Sequence, residues 1–200
     1  MLRITAALLF LSPVLASAQC LTDSALDGEI TVEFGSGNVS HISRTENGTL
    51  LNAYSDNDSY YQETIFFESH AGIFETGRVL HEKGRWDALE KSTISYDQGV
   101  ESIGSFAVGD SGGAMQSLSN DYRDTTSNFG WRAYESAPLV VGDCSYPAVR
   151  IFTTEFDARR GDINIREIKF LTDLGFGIQI GNSYYGLPTS DADIVSLTAH

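Results

Sequence analysis

The chain reads as a mainly β protein, one antiparallel sheet curled into a half-barrel or barrel with a short N-terminal helical turn. Three observations predict this. Apolar and polar residues alternate with period two in segment after segment, the pattern of half-buried strands. Turn-forming Gly, Asn and Asp residues punctuate those segments at short intervals. No stretch carries a long apolar stripe at the 3.6-residue helical period.

The first 18 residues stand apart. Met1-Leu2-Arg3 is a short positive region, an apolar run extends from Ala6 to Leu15, and Ala16-Ser17-Ala18 supplies the small residues that signal peptidase requires. The apolar run is too short to span a bilayer. Residues 1–18 are therefore expected to be a signal peptide, and residues 19–200 a single β-rich domain that is periplasmic or secreted.

From there the elements follow in order. Glu29 to Phe34 alternates polar and apolar, Gly35-Ser36-Gly37-Asn38 turns, and Val39 to Arg44 returns as a hairpin partner. Asn47-Gly48 is the strongest short turn signal, leading into Thr49 to Tyr54. Asp56-Asn57-Asp58 turns again into Tyr60 to Phe67, and Gly72 to Leu80 gives the next strand. Trp86 to Tyr96 is ambiguous, with Lys91 to Tyr96 its strand-like part. Asp97 to Ser127 is rich in Gly, Ser, Asn and Asp and reads as a long loop holding one short strand, Ser105 to Val108. Phe129 to Glu135 and Tyr146 to Phe156 resume strand character. Asp157 to Asp162 has turn composition, and Ile163 to Phe170 alternates cleanly as its antiparallel partner. Gly175 to Gly181 is a further strand whose glycines suggest a bend or bulge, and Ile194 to Leu197 could add an edge strand. Only Leu21 to Leu26 hints at a helical turn.

Charge and cysteine count narrow the function classes. The full chain carries a net charge of −14; without Arg3, 12 basic side chains face 27 acidic ones, a net charge of −15. So acidic a surface repels phosphates and anionic headgroups, and no basic cluster interrupts it, so no nucleic acid is expected as a partner. The two cysteines, Cys20 and Cys144, form an even pair in an exported chain and are expected to be oxidised to a disulfide. An acylated Cys20 is the alternative, but Gln19 directly before it is not the small residue a lipobox has.

Three segments together carry a family resemblance: Gly72-Ile73-Phe74-Glu75-Thr76-Gly77-Arg78-Val79, Val141 to Arg150, and Phe170-Leu171-Thr172-Asp173-Leu174-Gly175-Phe176-Gly177-Ile178. With Cys20-Leu21-Thr22 near the start, the chain resembles a group of uncharacterised periplasmic β-rich proteins of α-proteobacteria. More distantly it is similar to the half-barrel folds that include the periplasmic lipoprotein carriers. The resemblance implies a curved antiparallel sheet with a concave apolar face, and no activity.

Candidate chemistry is sparse. Gly109-Asp110-Ser111-Gly112-Gly113 matches the nucleophile motif of chymotrypsin-like proteases, which needs a base histidine and an orienting aspartate. His41, His70 and His81 lie upstream, none in the expected Thr-Ala-Ala-His-Cys context. A Gly-rich loop that satisfies its own backbone donors is the plainer reading. Asp56, Asp58 and Glu63 form an acidic group, and Asp191 and Asp193 another, neither with the spacing of a calcium loop. Glu29, Glu33, Glu63, Glu68 and Glu75 lie on candidate strands, and nothing selects a catalytic pair among them. The Asn38, Asn47 and Asn57 sequons are chance matches in Asn-rich turns if the host is bacterial. The expectation is non-catalytic binding of an apolar small molecule or a cell-envelope protein, with no cofactor, no metal and no transmembrane segment. A hydrolase using Ser111 or a carboxylate pair is the alternative.

Overall fold

A computed structural model describes residues 20–55, 63–82, 85–86, 91–100, 105–184 and 192–200. A 3-10 helix, Asp23–Asp27, opens them and buries Leu26. Strands β1 (Glu29–Phe34), β2 (Val39–Arg44) and β3 (Leu50–Ser55) follow. Their turns are set by Gly37 and Gly48, both at positive φ, where only glycine escapes the Cβ penalty. Strands β4 (Glu63–His70) and β5 (Phe74–Glu82) form the next hairpin, with β6 (Arg85–Trp86) beside β5. The expected Asp56-Asn57-Asp58 turn and residues 60–62 of the expected Tyr60–Phe67 strand lie outside the described residues.

Strand β7 (Ser92–Tyr96) leads to the largest departure from expectation. The Asp97–Ser127 region is not one long loop: it holds β8 (Ser111–Asn120) and the first part of β9 (Arg123–Glu135), paired over ten residues. Its polar composition hid the strands because the buried positions of this hairpin include Gln116, while most other positions of β8 face solvent. Asn120 Oδ1 caps the turn by accepting the Tyr122 and Arg123 N–H groups. The short strand expected at Ser105–Val108 is absent: these residues form no ladder, although Phe106 is buried. The alternation there reflects one anchoring side chain in irregular backbone.

Strands β10 (Leu139–Val141) and β11 (Cys144–Tyr146) make a separate two-stranded ribbon. Pro147 divides that ribbon from β12 (Ala148–Asp157), so the expected Tyr146–Phe156 strand is two elements. β12 pairs along its whole length with β13 (Asp162–Leu171), and β13 with β14 (Phe176–Ser183). The register shift between Glu167 and Ile168, opposite Gly181 and Gln179, is a bulge of the kind the glycines suggest. β15 (Ile194–Ala199) pairs with β1.

Among the described residues the strand order is β14-β13-β12-β9-β8-β7-β5-β4-β3-β2-β1-β15, antiparallel throughout. No ladder joins β14 to β15, so the expected curling into a barrel is not realised: the strands form one large antiparallel sheet that is neither closed nor strongly curled. One backbone hydrogen bond, Ala192 N–H to Ile180 C=O at 2.9 Å, spans between the end strand and the segment before β15. The physical reason is local: among the described residues the segment before β15 meets β14 only at Ala192, and β15 takes its ladder from β1 instead. Two apolar clusters form the core. One gathers Leu26, Ile30, Val32, Ile42, Tyr146, Leu171 and Phe176; the other gathers Ile73, Phe74, Phe106, Phe129, Ile151 and Phe170.

Candidate binding cavity

A cavity of about 770 Å³ lies between the face of β1–β5 and that of β13–β14. Strand register explains which side chains reach it. Asn52, Phe67 and Arg78 sit directly opposite one another across β3–β5, so they share one face. Ser40, Tyr54 and Ile65 form the next row on that face. On the other wall, Asn164, Arg166 and Ile168 alternate along β13 with Ile165 and Glu167, so the first three point together. The lining is mixed: Phe34, Ile65, Phe67 and Ile178 are apolar, while Ser40, Asn52, Asn164 and Gln179 are polar.

A charged cluster crosses the cavity wall. Glu75 is buried, and its Oε1 accepts a hydrogen bond from Arg166 Nη1, itself buried. Glu75 Oε2 accepts from Arg78 Nη2 at 2.7 Å. Burial alone would raise the Glu75 pKa, but the Arg166 and Arg78 guanidiniums outweigh it and hold the carboxyl below its ordinary value. The Arg78 guanidinium lies over the Phe67 ring, 5.2 Å from its centroid.

A second polar network lies on the inner face of β7–β9 and β12. Gln116 Nε2 donates to Tyr96 Oη at 3.3 Å. The Ser127 hydroxyl is 3.1 Å from both Gln116 Oε1 and Glu155 Oε1 and donates to one at a time. Burial pushes the Tyr96 phenol well above its ordinary range.

The GDSGG segment has a structural explanation. Ser111 opens β8 and is exposed, and among the described residues no histidine reaches it. Asp110 Oδ2 accepts the Ala107 N–H at 2.8 Å, closing a turn through Gly109 at φ 97°. A Cβ at Gly112 would stand 2.7 Å from Trp131 Nε1, so the glycine makes room for the indole. His41 Nδ1 is 2.9 Å from Glu29 Oε1, His70 stacks on Phe74, and the His81 side chain lies outside the described residues.

Cys20 and Cys144 are joined in a disulfide, which ties the start of the described chain to β11. The Leu21 N–H donates to Tyr146 Oη at 3.0 Å and reinforces the tether. Asp56, Asp58 and Asp191, with the Glu63 side chain, lie outside the described residues; Asp193 sits at the cavity rim. Among the described residues no group of three or more His, Cys, Asp or Glu is placed to hold a metal ion. Likewise, no described helix is long and apolar enough to cross a membrane. Of the glutamates singled out from the sequence, Glu29, Glu33 and Glu68 are exposed and Glu75 is bound by two arginines.

Sequence reasoning missed Arg78, Arg166 and the polar lining. The signal was present in Ile163–Phe170, where Arg166 falls on the same alternating face as Ile168 and Phe170. No family model, no curated protein and no solved structure matches this chain.

Proposed function

We propose that this protein is an exported, non-catalytic binder of a small amphipathic molecule, held in the cavity between β1–β5 and β13–β14. In this reading the open sheet serves as a half-barrel around its ligand. The observation that carries it is the cavity itself: about 770 Å³ lined by both apolar and hydrogen-bonding side chains. Small-molecule sites span about 300–1,000 Å³ and pair apolar walls with a few convergent polar groups. The mixed lining favours an amphipathic ligand over a wholly apolar one. The Cys20–Cys144 disulfide supports an oxidising compartment, in keeping with the N-terminal signal and with the resemblance to periplasmic proteins.

Native mass spectrometry of protein drawn gently from the periplasm, without detergent, tests this. The expected result is an added mass that is lost on denaturation. A bare polypeptide starting at Gln19, two hydrogens light, would overturn the ligand reading while supporting signal cleavage and oxidation.

A further inference from the structure

We propose that the ligand is a small organic acid whose anionic group is received by Arg78. This rests on the binding reading above and names the chemistry of that same cavity. Four charged side chains line it among the described residues: Glu75, Arg78, Arg166 and Asp193. Arg166 is committed to Glu75, with both side chains 8% exposed. Arg78 differs. Its side chain is 45% exposed, and a guanidinium has five N–H donors, of which Glu75 engages the Nη2 end. No other hydrogen bond links Arg78 to a described residue.

The group is also held in place before any ligand arrives. Glu75 fixes one end of the fork, and the Phe67 ring lies against it at 5.2 Å. A planar fork so constrained loses little side-chain freedom on meeting a carboxylate or sulfonate. Glu155 acts on Arg78 electrostatically, but it lies off the cavity lining and is hydrogen-bonded by Ser127. Asp193 sits with Gly35 at the turn end of β1. That strand is the fourth from β5 in the sheet order, and no ion pair or hydrogen bond joins Asp193 to Arg78. An acid bound at Arg78 would find apolar surface for its body in Phe67, Ile65 and Phe34, which line the same cavity. In a chain of net charge −14, an exposed guanidinium inside a cavity selects for anions where the rest of the surface repels them.

Two fluorescent probes test this: anilinonaphthalene sulfonate and phenylnaphthylamine, which share a ring system and differ by the sulfonate. The sulfonate dye is expected to bind about tenfold more tightly, the scale of one charge-assisted hydrogen bond. Added sodium chloride should weaken the sulfonate dye and leave the neutral one unchanged. Arg78→Gln should abolish the difference between the dyes, and Arg78→Lys should keep part of it. If neither dye binds the wild-type protein, the binding reading itself falls. Equal affinities with no salt response overturn the assignment to Arg78 and leave the binding reading standing. Should Arg78→Gln fail to fold, Arg78→Lys decides: a sulfonate preference as large as that of the wild type would overturn the assignment to Arg78, and a reduced one supports it.

Discussion

At the scale of single residues, Glu75 is a buried carboxylate held between two arginines. A buried carboxylate is tolerated only because two guanidiniums hold it. Arg166→Met leaves that carboxylate with Arg78 alone and is expected to cost about 3–5 kcal/mol, read as a fall in the urea midpoint at constant m. The double change Glu75→Leu with Arg166→Met removes both buried charges and should cost clearly less than the single change. The pH dependence has a definite sign. Because Glu75 is held below its ordinary carboxyl value, the folded state binds its proton less readily than the unfolded chain. Its contribution is present above the unfolded value near 4.5 and is lost as pH falls through the lower, folded value. Glu75→Gln should therefore flatten the acid limb of a stability-versus-pH curve below about pH 4.5. An unchanged acid limb would show that other carboxyls govern acid unfolding.

At the scale of elements, close backbone approach positions the cavity. The β4–β5 turn docks on β14, where the Gly177 N–H donates to Ala71 C=O at 2.9 Å. Gly72 lies at φ 71°, and a Cβ there would stand 2.4 Å from Gly177 O. A Cβ on Gly177 would stand 2.6 Å from Ile168 Cγ2. Gly177→Ala is accordingly expected to destabilise by about 1–3 kcal/mol, the range for overpacking a filled interior. Gly72→Ala adds a positive-φ penalty to a backbone clash and should cost at least as much. Thermal melts of both variants check this ranking; a neutral Gly72→Ala would mean the turn can lift off β14 at no cost.

For the whole molecule, the disulfide is the longest-range covalent constraint, with a sequence separation of 124. Loop-entropy bookkeeping gives an upper figure of about 4–5 kcal/mol for a loop of this size. Cys20→Ser with Cys144→Ser should lower the unfolding free energy by up to that amount without altering the sheet. A far-UV spectrum that stays β-rich alongside a lowered melting temperature is the expected pair of results. Loss of the β spectrum at room temperature would show that the sheet depends on the bridge to form.

The elements were legible in the sequence wherever burial alternated with exposure and a turn residue closed the hairpin. The β1–β2 and β12–β13 hairpins are of this kind, with Gly37 and Gly161 at positive φ in their turns. So was the pairing of the only two cysteines. The β8–β9 hairpin was not legible, because inward positions such as Gln116 and Ser127 satisfy one another with hydrogen bonds in place of apolar contact. The cavity was equally hidden. Glu75 and Arg166 stand 91 positions apart, on strands with β7, β8, β9 and β12 between them in the sheet order. Local periodicity assigns each of them to a strand face. Only the tertiary structure pairs Glu75 with Arg166, because a long-range ion pair is a property of how strands meet and not of either strand alone.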